Sequence, residues 1–476
     1  MNTSRIACLG LVAALALSGA PADDANAILA ATGMRGGLVV HVGCGDGQLT
    51  AALRGNGKNV VHGLDRDAAA IAKARAYIRS HKLYGPVSVE LWTAPFLPYA
   101  DNLVNLLVVE EPAMATEKER MRVLVPGGVA YVRQGATWTR TIKPPQAGVD
   151  EWTHYLHDAS GNPVANDVVV GPPKHLQWSA APTHTRAHEY TPGIWALVAT
   201  GGRVFFVQDK APAASMAALP QWHVVARDAH NGLLLWERPL TSWFSHLVGW
   251  TSSPPQLQRR LVAVGQRLYL PLAYHGPVSM LDATTGELLK TFPETAGADE
   301  VLLHEGVLLV AIRQVTPESA AGAKKLADMA RRRGSPLEDR DTGKPLIQAF
   351  RKTENRAPRA IVALDPETGK VLWQKTNKEA AGLRPLSLRA LGDRVYGHVN
   401  RGAICLDLKT GEPLWTKRSL PFRTISKQGG VCWSKEKVQL LSLADGKVLW
   451  TEKPVLAQIR DVFVIDGSVW IGGFKP

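Results

Sequence analysis

The stretch Ala363-Leu364-Asp365-Pro366-Glu367-Thr368-Gly369-Lys370-Val371-Leu372-Trp373 constrains the fold more than any other part of the chain. It reads as an apolar strand, a tight turn and a second strand ending on a large aromatic. Asp365 can accept hydrogen bonds from the turn's amides, and Gly369 supplies the positive φ that a short hairpin needs. Trp373 brings roughly 200 Å² of surface that a neighbouring element has to cover. A lone hairpin is at best marginally stable in water, so a chain built on this stretch has to stack copies of it. Copies are present as Asp228…Gly232…Trp236, Asp282…Gly286, Asp407…Gly411…Trp415 and Ser442…Gly446…Trp450. A four-stranded propeller blade takes about 40–45 residues, and most intervals between these glycines hold one blade. The interval from Gly286 to Gly369 needs a blade plus an insertion. Short β-rich runs between copies, such as Arg203-Val204-Phe205-Phe206-Val207 and Arg267-Leu268-Tyr269-Leu270, exclude leucine-rich and helical repeats. The spacing predicts an all-β propeller over residues 196–476, with about five to six blades. Asp461 to Gly473 opens a blade whose turn the chain does not reach. Open sheet edges are avoided in proteins, so the expectation is an incomplete ring, either a fragment of a longer chain or one closed by another chain.

The pattern Ala-x-Asp-x-x-Thr-Gly-x-x-x-Trp, complete at 363–373, resembles the tryptophan-docking repeat of the pyrroloquinoline-quinone (PQQ)-type propellers. Those include quinoprotein alcohol dehydrogenases and the propeller lipoprotein of the outer-membrane assembly machine. The resemblance covers roughly residues 150–476. Lys290 replaces tryptophan in the second copy, and Ser442 replaces aspartate in the last. The resemblance implies the fold, and no catalytic residue follows from the repeat. The quinoprotein dehydrogenases use an adjacent cysteine pair, a calcium held by carboxylates and a catalytic aspartate. No two cysteines are adjacent in this chain, so PQQ with calcium is not the expected cofactor.

The N-terminal part follows a different rule. Leu38-Val39-Val40-His41-Val42 is a short apolar strand that runs into Gly43-Cys44-Gly45-Asp46-Gly47 and then a helical segment, Gln48 to Arg54. A strand, a glycine-rich loop and a helix open a nucleotide-type α/β unit, because the glycines let backbone amides approach a ligand. A second strand, Val60 to Leu64, ends on Asp65, where such folds place a carboxylate for ribose hydroxyls. The alternation continues with a helix over about Ala68 to His81 and strands near Val87–Trp92, Val104–Val109 and Val129–Val132. This part resembles class I S-adenosylmethionine (SAM)-dependent methyltransferases. The landmarks in order are the Gly43-x-Gly45-x-Gly47 loop, Asp65, Leu97-Pro98-Tyr99-Ala100-Asp101-Asn102 and Leu124-Val125-Pro126-Gly127-Gly128. The resemblance implies a Rossmann-like domain over residues 23–140. It makes SAM the candidate cofactor, with Gly43, Gly45 and Gly47 on its methionine and ribose side and Asp65 on the ribose hydroxyls. The alternatives are an inherited strand–helix turn and an Asp65 that only caps a helix. His41 stands where the family carries an acidic residue, and Glu110-Glu111-Pro112 occupies the place of the acceptor motif. Cys44 reads as a small buried residue rather than a nucleophile.

Residues 1–22 have the layout of a secretory signal: Arg5, the apolar run Ile6 to Leu17, then Ala20-Pro21-Ala22. That run is too short to span a membrane, so the expectation is an exported protein, periplasmic or extracellular. Residues 141–195 bridge the two parts. His154, His157 and Asp158, with His184, His188 and Glu189, could gather around a transition metal, but they read first as hydrogen-bonded strand-end residues, and no metal site is predicted. The net charge of +13 reads first as a solvated basic face, with an anionic partner as the alternative. Part of it falls in the insertion near 315–357, with 10 Lys/Arg against 6 Asp/Glu. The aromatic interleaving of a single-strand nucleic-acid groove is missing there. Three functions follow. The first is an exported binding or scaffold module, for a small ligand or a protein, whose methyltransferase-like domain no longer transfers methyl groups. The others are a SAM-dependent methyltransferase and a PQQ-dependent oxidoreductase.

Overall fold

The computed structural model describes residues 20–474 except 182–192, 213–220, 242–254, 323, 326–356, 377–381, 385, 400–401, 435, 455 and 457. The chain divides into two compact units. One comprises Met1–Val149, Val169–Ala180 and Arg227–Trp236; the other comprises Asp150–Val168, Ala181–Ala226 and Glu237–Pro476. Among the described residues no helix is long and apolar enough to cross a membrane.

The first unit is an α/β sandwich. Its strands are β1 (Gly37–Val42), β2 (Asn59–Asp65), β3 (Val87–Leu91), β4 (Val104–Val109), β5 (Leu124–Gln134) and β6 (Thr137–Ile142), in the order β3-β2-β1-β4-β5-β6. The first five are parallel and β6 is antiparallel to β5. The apolar runs in β1 and β4 are continuous because both faces are covered. Val39, Leu106 and Val108 join one buried cluster, and Val40, Val42, Leu107 and Val109 join the other. Among the described residues four helices flank the sheet: α1 (Pro21–Thr32), α2 (Gln48–Ala52), α3 (Ala68–Ser80) and α4 (Glu117–Val123). Ile71, Ala74 and Ile78 form the buried stripe of α3, and the Asp67 carboxylate caps it by accepting from Ala69 N at 2.8 Å. The strand order reverses between β1 and β4. In an open α/β sheet that reversal leaves a crevice beyond the strands' C-terminal ends, next to the Gly43–Gly47 loop.

Among the described residues the propeller consists of five four-stranded antiparallel sheets and a sixth sheet of two strands. The first strand of each sheet adjoins the first strand of the next, so these strands form the inner ring: Ile194–Thr200, Val262–Val264, Ala298–His304, Arg389–Leu391, Phe422–Ser426 and Gln458–Ile465. Each repeat turn is closed in the same way. The Asp365 carboxylate accepts from the amides of Glu367 and Thr368 at 2.8 and 3.0 Å, and Gly369 N donates to Asp365 O at 2.7 Å. Asp228, Asp282 and Asp407 repeat this pair of side-chain bonds. Ser442 keeps one of the two amide bonds, from Ala444 N at 3.2 Å, and Gly446 N still donates to Ser442 O at 2.9 Å. A register shift precedes the turn at Met280/Leu281, Ala363/Leu364, Cys405/Leu406 and Leu440/Leu441. Such a bulge adds local twist where the strand must enter a tight turn.

Tryptophan ties two of the repeats to the next. The indole N–H of Trp373 donates to Leu408 O at 2.9 Å, and that of Trp415 donates to Leu443 O at 3.2 Å. Each acceptor directly follows the first position of the next turn. The ring then lies on that turn's glycine: a Cβ on Gly411 would stand 2.6 Å from the Trp373 ring, and one on Gly446 would stand 2.9 Å from the Trp415 ring. Gly411 has φ +70°, so both conformation and space demand glycine there. Lys290, in the tryptophan position of the second copy, still docks on the next turn. Its stem lies 3.7 Å from a Cβ built on Gly369, and its ammonium donates to Glu367 O.

Residues 152–162 run along the inside of the ring and bond to every inner strand in turn. Trp152 and Ala199 exchange backbone bonds of 3.1 and 2.7 Å, and Thr153 O accepts from Ala263 N at 3.0 Å. His154 Nε2 accepts from Leu303 N at 3.1 Å. Ala159 O accepts from Ala390 N at 2.9 Å and Ser160 O from Ile425 N at 3.3 Å. The Asn162 amide accepts from Val464 N at 2.9 Å and donates to Val464 O at 3.0 Å.

Candidate functional site

At the C-terminal end of β1 the chain turns through Gly43, Gly45 and Gly47 with φ of 84°, 53° and 83°, a sequence of left-handed positions that favours glycine. Gly43 N and Cys44 N both donate to Leu64 O, at 2.8 and 3.1 Å, which pins the loop to β2. Gly45 N donates to Asp65 Oδ2 at 2.9 Å, and Asp65 Oδ1 accepts from Asp67 N at 3.0 Å. The structure therefore brings Gly43, Gly45 and Asp65 together, with one Asp65 oxygen closing the loop and the other ordering the turn into α3. The glycines serve different ends. A Cβ on Gly47 would stand 2.7 Å from Ala74 Cβ, so this glycine lets α3 pack closely. A Cβ on Gly45 would meet nothing within 4 Å, which leaves an open backbone face.

His41 lies on β1 just before the loop and is buried. Its Nδ1 is 2.8 Å from Thr50 Oγ1, and its Nε2 is 3.2 Å from Glu110 Oε1. Glu110 follows the last residue of β4, and its other oxygen accepts from Arg133 Nη1 at 3.1 Å. Burial pushes the Glu110 carboxyl up, but the hydrogen bonds and charges of His41 and Arg133 outweigh it and hold the carboxyl below its usual range. A Cβ on Gly43 would stand 3.0 Å from both Glu110 Cβ and Met114 Sδ. The crevice end of β1 and β4 is thus occupied by a His41–Glu110–Arg133 chain pressed against the loop. Glu110 was visible in the sequence only as part of an unmatched Glu-Glu-Pro. Its role depends on the parallel pairing of β1 with β4, which places it beside His41.

Cys44 is buried against Gly63 of β2: a Cβ built there would stand 2.8 Å from Cys44 Cβ. Burial, then the Asp65 charge, pushes its thiol up to about 12, so it carries no thiolate near neutrality. Cys405 and Cys432 are likewise buried free thiols. In the other unit, His157 Nε2 bonds Asp150 Oδ2 at 2.7 Å, and His154 is spent on Leu303. His184, His188 and Glu189 lie outside the described residues, as does most of the insertion near 315–357. Among the described residues no three His, Cys, Asp or Glu side chains gather as a metal site.

Comparison with known proteins agrees with this division. The profile of the family described as "Methyltransferase domain" matches residues 39–128. The profile described as "Outer membrane protein assembly factor BamB" matches residues 357–462. The chain joins a class I methyltransferase-like domain to a PQQ-like propeller. Similar solved structures include a Methanococcus maripaludis protein assigned as a SAM-dependent methyltransferase, 24% identical, with a TM-score of 0.23 over 24% of this chain and 55% of that one. Geranyl diphosphate C-methyltransferase from Streptomyces coelicolor A3(2) is 20% identical, with a TM-score of 0.22 over 23% of this chain and 44% of that one. The chain thus spans about half the length of these structures. Curated protein sequences give no match.

Proposed function

We propose that the protein is an exported binding protein, in which the PQQ-like propeller takes the ligand and the methyltransferase-like domain no longer transfers methyl groups. The observation that carries this reading is the His41–Glu110–Arg133 chain. Glu110 has both oxygens committed within the domain, so it is not free to balance the ammonium of SAM or to take a proton from an acceptor. His41 supplies no carboxylate in its stead, and Cys44 has no thiolate to offer. Export is supported by the leader pattern at residues 1–22 and by the outer-membrane description of the profile that matches the propeller.

The second reading, a working methyltransferase, is favoured by the three left-handed glycines and by Asp65 at the end of β2. Isothermal titration of the full chain with SAM separates the two. The binding-protein reading expects no heat of binding at millimolar SAM and no methyl transfer from radiolabelled SAM to the protein or to added nucleophiles. Saturable binding together with transfer sinks it.

A further inference from the structure

The entries of four of the inner strands carry arginine: Arg259 just before the second, Arg389 opening the fourth, and Arg423 and Arg460 within the fifth and sixth. With Arg384 they line a cavity of about 610 Å³ inside the propeller unit. That volume falls within the roughly 300–1,000 Å³ of small-molecule sites. The lining carries five guanidinium groups and one carboxylate, that of Asp461. Glu300 reaches two of the five, bonding Arg259 at 2.9 Å and lying 3.5 Å from Arg389. Arg384 and Arg423 have no carboxylate within ion-pair distance among the described residues.

The guanidinium groups are also held in place. Arg423 lies over the Trp433 ring at 4.6 Å and Arg259 over the Tyr155 ring at 5.5 Å. Stacking on an aromatic face leaves the N–H edges of a guanidinium free to grip an oxyanion. Arg389 is fixed by donating to Leu388 O at 2.5 Å and to Arg423 O at 3.0 Å. The like charges crowd one another. Burial first, then Arg384 and Arg259, depresses Arg423, and burial and Arg259 depress Arg389 even though Glu300 opposes them. A folded protein that gathers so many cations around an accessible space is complementary to negative charge.

We infer that this cavity binds a small organic anion carrying at least two carboxylate or phosphate groups. Paired oxyanions match the guanidinium forks bidentately, and the Phe422, Trp433 and Val462 side chains lining the same space suit an apolar body between the charged ends. This deepens the binding-protein reading and rests on the propeller being the part that takes ligand.

The test is calorimetry on the full chain at physiological ionic strength, with citrate and inorganic pyrophosphate as probes, glycerol as a neutral control and long-chain polyphosphate as a polymer control. One citrate or pyrophosphate should bind per chain. Because each charge-assisted bond is a strong one, Arg384→Ala and Arg423→Ala should each weaken binding by about tenfold or more. Lys409→Ala, which removes an exposed cation in a repeat turn, should leave binding unchanged. Both arginines are on the accessible lining, so unfolding midpoints of the free variants should match the parent and separate lost affinity from lost fold. The inference is overturned if neither small anion binds, if the arginine variants bind as the parent does, if Lys409→Ala weakens binding equally, or if only the polymer binds. The SAM titration on the same preparation reads the other domain, so either proposal can fail without the other.

Discussion

At His154 the ring is nearly fully buried, and Nε2 accepts the amide proton of Leu303, an arrangement that only the neutral imidazole can make. Burial first, then the charges of His304, His157 and Arg259, pushes its pKa down to about 3. An unfolded histidine titrates near about 6.5. Between those values the unfolded chain takes up a proton that the native state refuses, so stability present above pH 6.5 is lost as the pH falls towards 3. The slope is at most about 1.4 kcal/mol per pH unit for one such group. Urea unfolding followed from pH 7 to pH 4 should show this loss, and His154→Gln should flatten the slope while lowering stability at pH 7 by about 1–3 kcal/mol. An unchanged slope would mean that His154 is not the titrating group. Glu110 acts in a lower window. Its folded pKa is depressed, so its contribution is present above its unfolded value of about 4.3 and is lost as the pH falls through the folded value. Replacing it with alanine leaves His41 Nε2 without its acceptor, at a cost of about 1–3 kcal/mol in the thermal unfolding of the first unit.

At the scale of the element, the hairpin and its tryptophan are the repeating device. Trp373→Ala removes a buried ring and the bond to Leu408, and should cost about 3–5 kcal/mol. Gly411→Ala should damage the same joint from the other side, since a methyl would enter the Trp373 ring. Denaturant midpoints check both, and the double variant should lose less than the two singles added, because they share one contact. This joint was legible in the sequence because its parts are local and recur at one spacing: an aspartate, a glycine four positions on, a tryptophan four further. Lys290 was legible only as a departure, since sequence alone does not say that an alkyl stem can lie where an indole would. The Gly43–Gly47 loop and Asp65 were readable for the same reason of spacing. The His41–Glu110 pair was not, because it depends on which strands are neighbours. The cavity arginines were hidden differently: with roughly one per blade, each reads as an ordinary surface charge until the ring gathers them.

For the whole molecule, the informative segment is the one that seemed least regular. Residues 152–162 have no periodicity, and six of the eleven, Trp152, Thr153, His154, Ala159, Ser160 and Asn162, each reach a different sheet. No local pattern announces such an arrangement, although it links all six sheets. Asn162 is its last anchor, with two bonds to Val464 and a third contact to Thr424 Oγ1 at 3.2 Å. Asn162→Ala should cost about 1–3 kcal/mol, and hydrogen exchange should show the loss concentrated in Gln458–Ile465, with Ile194–Thr200 as protected as before. Equal loss in both strands would mean that the segment does not hold the sheets one by one. The same wiring sets a timetable for synthesis. Asn162 precedes Val464 by 302 positions, so a chain emerging at about 5–20 residues per second carries this segment for tens of seconds before its final partner exists. Each completed blade takes up one more of its bonds in order. The propeller records its own progress along that strip, and the strip is filled only when the sixth sheet arrives.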